Sequence, residues 1–91
     1  MKEKYDGWIV LHMKAVGEVY PAKIAKELDI PPQTVHRVLE RLEKINYVRR
    51  RNIGPIKLYE LTEAGRKYAE EFSRIPGVLA LYRACLGDEK R

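Results

Sequence analysis

The stretch Ile24-Ala25-Lys26-Glu27-Leu28-Asp29-Ile30-Pro31-Pro32-Gln33-Thr34-Val35-His36-Arg37-Val38-Leu39-Glu40-Arg41-Leu42 decides the fold. It holds two amphipathic runs with a breaker between them. Ile24, Ala25 and Leu28 mark a short helix over 21–28. Pro21 opens it, because a first helical turn does not need that residue's N–H. Asp29-Ile30-Pro31-Pro32 interrupts the pattern. Val35, Val38, Leu39, Leu42 and Ile45 then recur at i, i+3, i+4 and i+7, which predicts one buried stripe on a helix over 32–45. Asn46 suits its end, since Asn tolerates the left-handed conformation that closes many helices.

Upstream, Tyr5, Trp8, Ile9, Met13 and Val16 predict a helix over 5–17, stopped by Gly17. Val10 and Leu11 widen its apolar stripe. His12 lies on that side and reads as a packing histidine, because no second metal-ligand type is near. Downstream, Tyr47–Arg51 and Ile56–Leu61 predict two strands flanking a four-residue tip, Asn52-Ile53-Gly54-Pro55. Tyr59 and Leu61 share one face of the hairpin, and Ile56 and Leu58 share the other. Thr62 suits a helix N-cap, and Glu63 favours the positive end of the helix dipole. The following helix, 63–73, is expected to bury Ala64, Tyr68, Ala69 and Phe72. Ile75-Pro76-Gly77 breaks it, and a last helix over 77–87 carries Val78, Leu79, Leu81, Tyr82, Cys85 and Leu86. Three helices, a two-stranded wing and further C-terminal helices make an α+β, mostly helical chain in the order of a winged helix-turn-helix.

Composition narrows the function. The 91 residues allow one compact core, and a chain of this size hides only about 60–65% of its unfolded surface. One cysteine, Cys85, excludes an internal disulfide and fits a reducing, cytoplasmic setting. No apolar run approaches the roughly 20 residues that span a bilayer. The sequence has neither metal-ligand spacing nor a glycine-rich phosphate loop, and its two histidines, His12 and His36, lie far apart, so an enzyme is not expected. No cofactor is implied. The net charge of +5 is unevenly distributed. Residues 1–30 and 58–91 each sum to zero, whereas residues 31–57 hold seven basic groups and two acids. A local basic excess on a neutral scaffold is the footprint of a nucleic-acid face, although a solvated surface would have the same composition.

On a helical wheel the stripe of the third helix leaves Gln33, Arg37, Glu40 and Lys44 opposite, with His36 and Arg41 flanking. Gln and Arg can pair bidentately with adenine and guanine edges in the major groove. Thr34 suits a phosphate contact or packing, and Arg41 and Lys44 suit phosphates. Glu40 is expected to pair with Arg37 or Lys44. In the hairpin, Arg49, Arg50, Arg51, Asn52 and Lys57 form a cationic finger for the minor groove or the backbone. Strand alternation sends Arg49 and Arg51 to one face and Arg50 to the other. A charged edge that prevents strand aggregation is the alternative explanation.

The helix-turn-helix segment quoted above resembles that of winged-helix transcription regulators of the MarR and PadR type. Leu58-Tyr59-Glu60-Leu61-Thr62-Glu63-Ala64-Gly65-Arg66 is similar to their junction after the wing. Asn46-Tyr47-Val48 stands where these families often have Gly-Leu-Val. The likeness covers about residues 20–72. It implies a sequence-specific double-stranded DNA-binding regulator acting as a homodimer. Residues 1–74 would be the DNA-binding domain and 75–91 an apolar dimerisation helix. Trp8 and Leu11 on the first helix, with Leu79, Leu81, Tyr82 and Leu86 on the last, are the expected dimer contacts, unless the last helix folds back on its own domain. A protein-interaction module and a sequence-indifferent chromatin protein are the competing functions.

Overall fold

A computed structural model describes residues 5–89, with side chains as far as Cys85. The element order is α1 (Asp6–Val16), α2 (Pro21–Leu28), α3 (Pro32–Lys44), β1 (Val48–Ile53), β2 (Ile56–Leu61), α4 (Glu63–Ser73) and α5 (Val78–Glu89). This is the predicted α+β winged-helix arrangement.

The turn between α2 and α3 is built from backbone chemistry. Asp29 adopts φ 57° and ends α2 in the left-handed conformation, while the Ile30 N–H donates to the Ala25 carbonyl at 3.0 Å. This closes α2 as a Schellman motif. Pro32 then occupies the first position of α3, where its fixed φ is already helical. Asn46 (φ 66°) closes α3 in the same manner, with the Tyr47 N–H donating to the Leu42 carbonyl at 2.8 Å. Both helix ends therefore satisfy carbonyls that would otherwise lack partners.

The core joins α1, α2, α3 and the inner face of the wing. Ile9, Val10, Met13, Ile24, Val35, Val38, Leu39, Leu42, Val48, Tyr59, Leu61 and Ala69 belong to one buried cluster. Each large aliphatic side chain in it contributes roughly 1.5–3 kcal/mol of burial free energy. Several residues expected inside lie outside. Val16 and Ile45 end their helices and are exposed, as is Ala64 on α4. A terminal residue can continue a periodic pattern without having a neighbour to pack on.

The wing is longer than predicted. Val48 pairs with Leu61, Arg49 with Glu60, Arg50 with Tyr59, Arg51 with Leu58, Asn52 with Lys57 and Ile53 with Ile56. The turn is thus Gly54-Pro55 alone, with Gly54 at φ 58°. A two-residue hairpin turn with positive φ at its first position matches the strand twist, so the ladder continues to Ile53 and Ile56. Both isoleucines are exposed at the tip. Val19, between α1 and α2, adds a single bridge to the far side of β2. Its N–H donates to the Tyr59 carbonyl at 2.9 Å, and the Tyr59 N–H donates back at 2.8 Å. One residue pair leaves no periodic signal in a sequence.

Beyond β2, Thr62 caps α4 as expected. Its Oγ1 accepts from the Gly65 N–H at 3.1 Å, and its hydroxyl donates to the Asn46 carbonyl at 2.6 Å. Gly65 is required there, because a Cβ would sit 2.0 Å from the Tyr47 carbonyl oxygen. The root of the wing and the start of α4 are therefore locked together. No helix among the described residues is long and apolar enough to cross a membrane.

Candidate nucleic-acid interface

The amphipathic stripe of α3 fixes what the helix presents. With Val35, Val38, Leu39 and Leu42 buried, the outer face exposes Gln33, His36, Arg37, Glu40 and Lys44. Thr34, in the first turn, is half-buried. Arg41 turns the other way. Its Nη2 donates to Oδ2 of Asp6 on α1, whose side chain is only 7% exposed. The remaining oxygen, Asp6 Oδ1, is buried without a hydrogen-bond partner among the described residues. Arg41 therefore fastens α3 to α1, and it reaches a phosphate only by leaving a buried carboxylate.

The wing arginines are exposed, and each meets a carboxylate. Arg49 Nε donates to Glu60 Oε2 at 3.1 Å across the hairpin. Arg50, on the inner face, reaches Glu43 of α3 at 3.7 Å. Arg51 forks onto Glu18, with Nε donating to Oε2 at 2.9 Å and Nη2 to Oε1 at 2.7 Å. That hydrogen bond, reinforced by the Glu18 charge, raises the Arg51 pKa above its ordinary value, so the group stays cationic. Asn52 and Lys57 face each other near the tip and are exposed.

Charge counting along the chain could not find these acids. Glu18 and Glu60 fall in segments that sum to zero, yet they sit beside residues of the basic segment. The Glu60 contact follows from the register. A four-residue tip would set Arg49 opposite Leu58, whereas the two-residue turn sets it opposite Glu60. The Glu18 and Asp6 contacts link positions 33 and 35 residues apart and carry no local signal.

Helix α5 packs on its own chain, with Val78 and Tyr82 the most enclosed of its described side chains. Val78 is buried, and the half-buried Tyr82 meets His12 at 2.8 Å from Nδ1. His12 is itself buried, and its Nε2 lies 2.6 Å from Glu27 Oε1 on α2. All three groups are satisfied if Nε2–H donates to Glu27 and the Tyr82 hydroxyl donates to Nδ1. His12 thus ties α1 to α2 and α5. Burial raises the Tyr82 pKa, with Glu27 adding to the effect.

The expected dimer contacts divide. Leu79 and Leu81 are exposed, at 37% and 63%. Trp8 is half-buried, edge-on to Phe72 with ring centroids 5.0 Å apart. Leu11 is 5% exposed and enclosed by its own chain, so it has little surface to offer a second copy. The side chain of Leu86 lies outside the described residues. An apolar cleft of about 300 Å³ runs between α1, the end of α2 and α5, lined by Tyr5, Trp8, Leu28, Ile30, Leu81, Tyr82 and Cys85.

No family model matches the chain. Among curated proteins, the riboflavin kinase of Pyrococcus abyssi is 39% identical over 62 residues, covering 65% of this chain and 29% of that protein. Among solved structures, the chain is similar to the reduced form of MarR from E. coli, with a TM-score of 0.76, 18% identity and coverage of 96% of this chain and 65% of that one. It is similar to a mutant MarR from E. coli complexed with operator DNA, with a TM-score of 0.72, 17% identity and coverage of 96% and 64%. It is also similar to an S. aureus MepR mutant bound to an oligodeoxyribonucleotide, with a TM-score of 0.74, 24% identity and coverage of 86% and 60%. The chain spans less than two thirds of the length of each of these proteins. At such identities the likeness establishes that this chain has the winged-helix fold of MarR-type regulators.

Proposed function

We propose that this chain is a double-stranded DNA-binding transcription regulator. In this reading α3 enters the major groove, and Gln33 and Arg37 read base edges with His36 beside them. Thr34, Lys44, the wing arginines, Asn52 and Lys57 contact phosphates or the minor groove. Arg41 acts mainly by holding α3 against Asp6. The observation that carries the reading is the outer face of α3, where Gln33, His36, Arg37 and Lys44 are exposed together. Similar folds described with operator DNA and with an oligodeoxyribonucleotide support it.

Two copies would double the base contacts, with half-sites about 10–10.5 base pairs apart or at multiples of that spacing. Exposed Leu79 and Leu81 on α5 favour a homodimer built around 75–91, with 1–74 forming each DNA-binding unit. The function is that of a binding protein in the cytoplasm. Kinase activity is not carried over from the curated relative, because the shared 62 residues are only 29% of it and this sequence has no phosphate-cradling loop.

Selection of bound sequences from a random DNA pool tests specificity and symmetry together. Enrichment of a palindromic motif is the expected outcome, and Arg37→Ala should blur it. Recovery of unenriched DNA points to sequence-indifferent binding. Recovery of no DNA favours the second reading, a protein-interaction module, which the carboxylates facing the wing arginines also fit. Sedimentation at micromolar concentration should report a dimer, and a monomer would remove that part of the proposal.

A further inference from the structure

We propose that Glu18 is a positioning residue that sets how readily the wing yields Arg51 to a nucleic-acid phosphate. The inference rests on the DNA-binding reading above. Glu18 precedes Val19, whose paired hydrogen bonds to Tyr59 fasten this connection to the side of β2. From that fixed point both Glu18 oxygens accept from Arg51, at 2.9 and 2.7 Å. The side chains remain 59% exposed for Arg51 and 28% for Glu18, so the pair lies open to an approaching polyanion.

An arginine fork binds a carboxylate and a phosphate with the same two parallel N–H donors. Glu18 therefore occupies the edge of Arg51 that a bidentate phosphate contact would use. The other wing pairs differ in kind. Arg49 makes one hydrogen bond to Glu60, its cross-strand neighbour, and Arg50 stands 3.7 Å from Glu43. Arg51 makes two hydrogen bonds to a single carboxylate, and that partner belongs to the helical body rather than to the wing or α3. Binding must exchange Glu18 for phosphate, and the exchange lowers the net gain from this arginine.

The test is fluorescence anisotropy with a short mixed-sequence DNA duplex at fixed low salt, using the full chain. Exposed ion pairs are modest, so E18Q should bind about three- to fivefold tighter than the parent. In an R51A background the same change should have almost no effect, and E70Q, a charge-matched control on α4, should move affinity little in either background. Melting of E18Q should fall by a few degrees at most, the loss of one exposed pair from the free fold, whereas a large fall would mark a structural role and overturn the proposal. Addition of duplex to the parent should shift the Arg51 Nε–H resonance. Equal or weaker binding by E18Q, or an equal gain in the R51A background, overturns the proposal while leaving DNA binding intact. If the parent chain binds no duplex at all, the DNA reading itself fails and takes the proposal with it.

Discussion

The wing draws the partners of its three arginines from three elements: Glu60 from β2, Glu43 from α3 and Glu18 from the connection before α2. Helix α3 instead sorts its basic residues by face. Arg41 points inward to Asp6, and Arg37 and Lys44 point outward. The difference follows from geometry. A helix has a fixed period of 3.6 residues, so burying one stripe commits the opposite face. A two-stranded ribbon commits only alternation, and the neighbours of each long side chain are set by register and by whatever packs alongside. An arginine on α3 thus faces in or out by its place in the helical period, whereas an arginine on the wing takes the neighbour that register and packing bring beside it.

This contrast can be broken most severely at its platform. Leu39→Ala, at a fully buried site under α3, should cost about 2–5 kcal/mol and lower the melting temperature sharply, with the presented face lost along with the helix. Next comes the root of the wing. Gly65→Ala drives a Cβ into the Tyr47 carbonyl and should cost about 1–3 kcal/mol, read by denaturant titration. Hydrogen exchange should then show the hairpin opening more than α3.

A smaller effect separates the roles of the two elements on DNA. Arg37→Ala should erode discrimination between sequences, by about 1–3 kcal/mol at its contacted base. Arg49→Ala should weaken all duplexes alike, because a phosphate contact carries no sequence information. Equal loss of specificity from both variants would erase the distinction between helix and wing.

The mildest test is alkaline pH. Burial raises the pKa of Tyr59 beneath the wing, with Glu43 adding to it, and raises those of Tyr68 and Tyr82 as well. The folded state then holds these phenolic protons more tightly than the unfolded chain. Their contribution is complete below the ordinary value of 10.0 and is lost as pH rises through the raised folded values. The buried stripe of α3 holds no titratable side chain, so amide exchange should report the hairpin loosening ahead of α3.

Most elements were legible because their signals are local. The second helix, the return strand and the fourth helix begin and end where breakers and caps stand: Pro21, Gly54-Pro55, Thr62. The N-cap role of Thr62 is complete within four residues. The hairpin tip is not legible, because Asn52 and Ile53 are compatible with either a loop or a ladder, and only the twist of the paired strands selects the shorter turn. The exposure of Val16, Ile45 and Ala64 is not legible either, because periodicity reports a face and cannot report where the neighbouring element stops.

What the sequence by itself determined is the helix-turn-helix and the identity of the face that α3 turns outward, since hydrophobic period and helix capping act within a few residues. What only the tertiary structure decided is the electrostatic state of the basic segment. Asp6, Glu18 and Glu60 lie outside that segment, and folding carries each to a specific arginine. Charge acts through space, over a few ångströms, and the distance along the chain between two charges does not determine that separation.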